Sequence, residues 1–435
     1  MDKSGKKKFG ADSIVVGFAL FSMFFGAGNV IFPPYLGFGA GTQWVNGFLF
    51  YFIADIGLAL FALFALFTLL KVGGSENITG RIGSVASNIL MSAIILCIGP
   101  MVAIPRTAAT TFEMSVAPLI SGVSPVIFSV AFFIVVLLLS IRQSAVIDVV
   151  GKVLTPALLI GLLVLIIKGI ISPLGSIVNP HVDSSFVIVN GIKSGYQTMD
   201  VLAALAFGKI ILKSAQEKGY SDARESSKMI RAAAVIAGVL LLIVYFGLTY
   251  LGATSASLFS LGISRAELVI GIVERLLGKV GLVIFAVVVA LACMTTAVAL
   301  VSSAASFFEK LTKGRLSYAT LVIIICVSSA VISNLGLDRI VAVASPILDI
   351  VYPPTLVLIA LSWFGDRLSR GVYCWAVVGA LISSVLSTLS LYGVSVPIVN
   401  TLPLASLGLG WIVPAAGFGI VAYVIGRLRE MRKKS

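Results

Sequence analysis

Two stretches of this chain carry chemistry inside long apolar runs. The first is Phe24-Phe25-Gly26-Ala27-Gly28-Asn29, followed by Phe32-Pro33-Pro34. Glycine weakens a helix, and proline removes a backbone donor and blocks the preceding turn. Together they predict an unwound stretch. A half-helix that restarts after such a break presents free amide N–H groups and the positive end of its dipole. A carboxylate fits there, beside Ala27, Gly28 and Asn29. The second stretch is Lys193-Ser194-Gly195-Tyr196-Gln197-Thr198-Met199-Asp200, a polar patch between Phe186–Val189 and Val201–Ala206. Ser194, Gly195, Tyr196, Thr198 and Asp200 are its candidate substrate contacts. A lone carboxylate deep in a bilayer costs several kcal/mol, so Asp200 needs a partner or a task. Carbonyls left over at the ends of broken segments suit an ammonium group or a small cation.

Either break alone reads first as a packing kink, since Gly and Pro are common in membrane helices. The pair reads differently. The two breaks lie five spans apart, and an odd offset turns them in opposite directions. That is the pattern of inverted repeats with a substrate held at the bilayer midplane.

Further polar residues lie inside apolar runs. Ala292-Cys293-Met294-Thr295-Thr296 places two adjacent hydroxyls in a helix. They either bond back to their own helix carbonyls or reach a cation wedged between helices, and hard oxygen ligands suit Na⁺ or Li⁺. Arg106 and Glu113 read as gating charges or as a structural pair. Asp349, which follows Ser345-Pro346, and Asp55 are two more acids within apolar runs. Asp349 joins the gating candidates, and Asp55 has no partner legible in the sequence. A proton carried on Asp200 stands as the alternative to a metal cation as driver.

These residues must be positioned by membrane helices. Of the 435 residues, 59% are hydrophobic and 11% charged, and the mean hydropathy is +1.11. A soluble domain is about half apolar and a quarter charged. A spanning helix takes roughly 20 residues, so the apolar supply matches about a dozen spans. Soluble enzymes, nucleic-acid binders and disordered proteins are excluded on this composition. Neither a phosphate loop nor a catalytic His/Cys/Asp set is present, so no enzymatic activity is expected. The four cysteines, at 97, 293, 326 and 374, have no disulfide or zinc spacing. His181 is the single histidine. No obligate protein partner is expected besides the lipid bilayer.

Twelve helices are expected, near 12–40, 44–71, 84–112, 125–141, 147–171, 186–213, 229–252, 280–308, 316–335, 339–364, 371–392 and 403–427. Residues 1–11 and 428–435 read as basic tails. No small-x-small site follows Lys3–Lys8, so no cleaved leader is expected. With the N-terminus in the cytoplasm and strict alternation, 23 of the 31 Lys and Arg residues fall inside and 6 outside. That bias places both termini in the cytoplasm, and the Asn77-Ile78-Thr79 sequon with them. In the outer loop 253–279, Arg265 to Leu277 alternates charged and apolar residues at helical spacing. It reads as a short helix over the outer face, either as a cap or as a gate.

The chain resembles the bacterial branched-chain amino acid:cation symporters. The resemblance rests on Phe25 to Pro34, on Gly99-Pro100 through Ala103-Ile104-Pro105-Arg106-Thr107-Ala108, and on Gly195 to Asp200. With the twelve-span layout it covers nearly the whole chain. It implies an all-α integral membrane protein with the LeuT-type fold of the amino acid/polyamine/cation group. Spans 1–5 (12–171) and 6–10 (186–364) would be inverted repeats, with helices 1 and 6 broken and two further helices over 371–427. It implies Na⁺-driven uptake of leucine, isoleucine and valine across the bacterial plasma membrane. Against the LeuT-type pattern, Gly26-x-Gly28-Asn29 lines up with the loop that holds the substrate carboxylate. Ala292, Thr295 and Thr296 line up with a sodium site, completed by carbonyls near Ser22 and Phe25. The chain departs from that pattern at Val30 and Ile31, where no arginine precedes Phe32-Pro33. A branched aliphatic substrate would need a dry pocket, which gains roughly 0.8 kcal/mol per buried CH₂.

Overall fold

Glycines mark both ends of the helix over Ala27–Ala40, at Gly26 and Gly41, whereas Pro33 and Pro34 lie inside it. A computed structural model describes residues 3–71, 78–141, 155–179, 183–220, 222–394 and 396–434. The described residues are helices, turns and loops. The start of the expected fifth span (147–154), His181, Asn77 and Ser435 lie outside them. The helices are α1 (Lys3–Phe24), α2 (Ala27–Ala40), α3 (Trp44–Phe52), α4 (Leu58–Lys71), α5 (Ser84–Leu96), α6 (Ala103–Thr111), α7 (Pro125–Ile141) and α8 (Thr155–Ile171). They continue as α9 (Ser184–Thr198), α10 (Asp200–Glu217), α11 (Ala223–Ser255), α12 (Arg265–Leu311), α13 (Tyr318–Ser333), α14 (Leu337–Ser362), α15 (Arg370–Leu391) and α16 (Ile412–Lys434). Wide π-turns at Ile53–Gly57, Cys97–Met101 and Phe112–Val116 interrupt or extend them. Among the described residues, seven helical stretches are long and apolar enough to cross a membrane by length and composition.

Several boundaries differ from the sequence reading. The basic stretch expected as a tail is helical from Lys3 onward. The last helix starts at Ile412 rather than 403, and it runs to Lys434 through the expected second tail. Leu404 and Gly408 sit in the left-handed region (φ 65° and 72°), which a continuous α-helix cannot include. The Arg265–Leu277 helix is the first part of α12. Ser264 and Glu267 cap it reciprocally, and Gly278 (φ 66°, ψ −168°) bends the chain before the long apolar part. Only glycine adopts that conformation without strain.

The residues form two compact units. One comprises Met1–Leu60 and Ile95–Ala344, the other Phe61–Ile94 and Ser345–Ser435. In the second unit α15 packs along α16. There the backbone of Gly379 approaches the chain at Pro414, so that an added Cβ would lie 2.6 Å from the Pro414 carbonyl oxygen.

The first unit holds the chemistry. Its backbone contacts are set by small residues, as expected where lipid removes the hydrophobic drive between helices. α2 crosses α11 main chain to main chain. A Cβ on Gly37 would stand 1.9 Å from the Thr249 carbonyl oxygen, and one on Gly252 would stand 1.9 Å from that of Pro34. α9 meets α3 in the same way, with Gly191 against the Gly47 carbonyl and Gly195 against that of Tyr51. α1 packs on α11, and α12 packs on α6, α7 and α13.

The α2–α11 crossing gives a direct expectation. Gly252→Val should destabilise the protein by about 1–3 kcal/mol or more, because the opposing atoms are backbone and cannot rotate away. Gly417→Ala, which meets open space on α16, should be near neutral. Thermal aggregation of the detergent-solubilised protein, followed by size exclusion, separates the two.

Candidate functional site

The site forms where two helices stop and restart. α1 makes its last bond from the Phe25 amide to the Phe21 carbonyl at 2.7 Å. Gly26 then takes an extended conformation (φ −116°, ψ −166°), and α2 begins at Ala27. The Gly26 amide turns to the Asn29 side chain, donating to Oδ1 at 3.2 Å. The Asn29 amide bonds the Gly26 carbonyl at 3.1 Å. In an unbroken helix those two amides would serve the carbonyls of Ser22 and Phe25. The break therefore takes the regular donors from these two carbonyls.

The second interruption lies at Met199, which is buried and left-handed (φ 66°) between α9 and α10. A non-glycine residue there stores strain, and such positions cluster at functional sites. The C-terminal end of α9 is capped by the buried Arg106 of α6. Its Nη1 donates to the Gln197 carbonyl at 2.5 Å and its Nη2 to the Thr198 carbonyl at 3.4 Å. A cation at that end complements the helix dipole. Gly28 makes room for it, since a Cβ there would lie 2.8 Å from Arg106 Nη2.

Asn29 joins the two interruptions. Because its Oδ1 accepts from Gly26, its Nδ2 is the donor on the other side. That nitrogen donates to Asp200 Oδ2 at 2.8 Å and to the Tyr245 hydroxyl at 2.5 Å. Asp200 is the first residue of α10, at its positive end, and Arg106 adds a second favourable charge.

A cavity opens between these groups. Gly26, Ala27, Asn29, Arg106, Thr107, Thr198, Asp200 and Thr296 form its polar side. Met23, Phe24, Ile98, Ala103, Ala203, Phe207 and Leu300 form its apolar side. The space within it that a water centre can occupy is about 30 Å³, enough for roughly two waters. A larger guest enters only when the walls part. Beside it, the Thr296 hydroxyl is buried and has no hydrogen-bond partner among the described residues. It faces the break, with Oγ1 3.5 Å from where a Gly26 Cβ would be. Thr295 instead donates to the Ala292 carbonyl at 2.9 Å.

The structure thus gathers Ala27, Asn29, Thr198, Asp200 and Thr296 on one cavity, with Gly28 behind them against Arg106. Gly195 lies at the α9–α3 contact and works there as a packing glycine. Ser194 and Tyr196 flank it on α9 and are not among the cavity-lining residues. Ser22 and Phe25 border the break through their carbonyls. Arg106 lines the cavity and caps α9. Glu113 turns elsewhere, accepting from the Leu337 amide at the start of α14 at 2.8 Å. Asp349 is half-buried on α14, within the second unit.

Two pairings at the site were not legible in the sequence. Asp55, on the π-turn Ile53–Gly57, reaches Thr198. Tyr245, in the middle of the apolar α11, reaches Asn29. Toward the start of α12, the Phe32 ring lies 5.7 Å from the Arg106 guanidinium and 6.0 Å from that of Arg265. Arg265 also stacks on Tyr35 at 4.6 Å and pairs with Asp338.

Comparison with known proteins fits this layout. Over 96% of this chain and 92% of its own, the structure of Mhp1, a nucleobase-cation-symport-1 family transporter, superposes with a TM-score of 0.64 at 14% identity. A Na⁺-coupled sialic acid symporter superposes with a TM-score of 0.59 at 16% identity, over 95% and 88% of the two chains. These likenesses establish a LeuT-type helical fold. In sequence, the branched-chain amino acid transport system 2 carrier protein of Pseudomonas aeruginosa is 38% identical over 429 residues, covering 96% of this chain and 97% of the relative. The branched-chain amino acid permease BrnQ of Bacillus subtilis is 34% identical over 440 residues, covering 98% and 99%. The relatives are carriers and permeases rather than enzymes, and the apolar helices make this a multi-pass membrane protein. The profile of the branched-chain amino acid transport proteins matches residues 9–429, and the chain belongs to that family.

Proposed function

We propose that the protein imports leucine, isoleucine and valine across the bacterial plasma membrane by alternating access, with Na⁺ as the coupling ion and both termini in the cytoplasm. The observation that carries this reading is the Asn29–Asp200 hydrogen bond, which ties two helix interruptions together at a half-polar, half-apolar cavity. On this reading α1–α2 and α9–α10 are the broken first and sixth spans of a twelve-span, five-plus-five inverted repeat. The substrate carboxylate meets the amides at the start of α2, beside Ala27, Gly28 and Asn29. Its ammonium group meets Asp200 and Thr198. The aliphatic side chain lies against Phe24, Ile98, Phe207 and Leu300, where each buried methylene is worth roughly 0.8 kcal/mol. The relatives named as branched-chain amino acid carriers support the choice of side chain.

The cation reading rests on three oxygens: the unpartnered Thr296 hydroxyl and the carbonyls of Ser22 and Phe25. They are hard, neutral ligands of the type that suits Na⁺ or Li⁺. Thr295 precedes Thr296 and the Ala292 carbonyl stands one helical turn earlier, and both join the set when Thr295 releases its own bond. A second reading takes the proton as driver, with Asp200 as its carrier, since that carboxyl is buried beside another acid.

Labelled leucine uptake into proteoliposomes, under separately imposed Na⁺, Li⁺ and H⁺ gradients, tests the proposal. Uptake should follow the Na⁺ gradient and compete with isoleucine and valine. Uptake driven by a pH gradient in Na⁺-free buffer would favour the second reading.

Thr296→Ala should raise the Na⁺ concentration for half-maximal uptake about tenfold, as expected when one oxygen bound to a charge is lost. The leucine KM at saturating Na⁺ should stay within about twofold. Equal change in both would assign Thr296 a structural role.

A further inference from the structure

Two buried acids meet behind the cavity, and they are not equivalent. Asp200 lines it; Asp55 is fully buried and is not among the lining residues. The proton count at Thr198 distinguishes them. Thr198 Oγ1 lies 2.5 Å from the Gly195 carbonyl oxygen and 2.7 Å from Asp55 Oδ1. A hydroxyl has one proton to donate. A carbonyl only accepts, and that of Gly195 has lost its regular helical donor, because the Met199 amide bonds the Tyr196 carbonyl instead. Thr198 therefore gives its proton to Gly195. The proton in the Thr198–Asp55 contact must then come from Asp55. If Asp55 were ionised and took the Thr198 proton, two oxygen lone pairs would face each other at 2.5 Å.

The two carboxyls also differ in their surroundings. The groups that face Asp55 are Tyr51 of α3, Thr198 of α9, Asp200 of α10 and Tyr245 of α11, and none is a cation. Asp200 is buried and faces the Asp55 carboxyl in turn, but it also has the Asn29 amide, the start of α10 and the Arg106 guanidinium. Two adjacent carboxyls in a dry site share their ionisation unequally, and the better-supported one keeps the charge.

We infer that Asp55 is held as the neutral acid, hydrogen-bonded to Thr198, so that Asp200 alone carries the negative charge that receives the substrate's ammonium group. The second clause rests on the amino-acid carrier reading above; the first does not. Asp55 is then a positioning residue. It orders Thr198, and through Thr198 the end of α9, and it keeps the site from holding two anions. A substrate with an unprotonated or absent amino group finds one unmatched carboxylate and is rejected.

Asparagine reproduces a neutral, hydrogen-donating Asp55. Asp55→Asn should therefore keep leucine uptake within about threefold of the parent, since the hydrogen bond is conserved. Asp200→Asn should lose on the order of 100-fold, as when one partner of a buried charge pair is removed. The infrared spectrum of the reconstituted, substrate-free protein gives a readout that needs no transport. The difference between parent and Asp55→Asn at neutral pH should contain the carbonyl stretch of a protonated carboxylic acid. Loss of carboxylate bands instead overturns the inference, as does abolished uptake in a well-inserted Asp55→Asn protein. Should Asp55→Asn fail to insert, Thr198→Val decides. It should move the acid band in frequency by removing its acceptor, and an unchanged band overturns the assignment. If the parent protein does not take up leucine, the carrier reading falls, while the infrared band still reports the state of Asp55.

Discussion

One side-chain amide holds the centre of this protein together. Asn29 uses its oxygen to close the start of α2 on Gly26 and its nitrogen to reach Asp200 and Tyr245. An amide is suited to this because it offers an acceptor and a donor on opposite edges of one plane. Three segments remote in sequence are fixed at one point. Unsatisfied backbone cannot face lipid, so each interruption must be closed by protein. At the first break Asn29 does the closing, and at the second Arg106 does. The carbonyls freed at Gln197 and Thr198 are taken by the guanidinium, while those of Ser22 and Phe25 have no regular helical donor. The two breaks are chemically unlike: one is sealed by a fixed cation, and the other leaves two carbonyls without their helical donors.

The cavity's two-sided character follows from helix geometry. α2 and α10 both direct their N-terminal ends at it, which gives positive potential without adding a side-chain charge. Its other side is aromatic and aliphatic. A zwitterion with a hydrocarbon tail matches both sides, whereas an ion or a sugar would match only one.

Much of this arrangement is legible in the sequence, and the reason is local. Gly26 acts on its own backbone, so its effect appears in any linear reading, whereas Pro33 and Pro34 lie inside α2 without interrupting it. The helix ends at Phe24 and Thr198 lie inside the two stretches marked by glycine and polar residues. What escapes is any relation that depends on which helix faces which. Arg106 reads as a gating charge or as a partner for Glu113 until α6 is seen beside the end of α9. Asp55 reads as an unexplained acid, because the turn that aims it at Thr198 leaves no mark in composition. Tyr245 is hidden in an apolar helix. Gly195 shows a second use that a linear reading does not give. It looks like a binding-loop glycine, and its missing side chain instead serves the contact with Tyr51. The boundary differences at 3–11 and 403–411 also have local causes, namely good helix formers in the basic stretch and left-handed residues at 404 and 408.

The glycine crossing of α2 and α11 constrains how this machine can work. Main chain rests on main chain at Gly37 and Gly252, so no side chain separates the rods at these two points. Asn29 rides on one rod and Tyr245 on the other, and their bond spans the joint. Sliding one rod past the other would have to break these main-chain contacts and the bond that spans the joint.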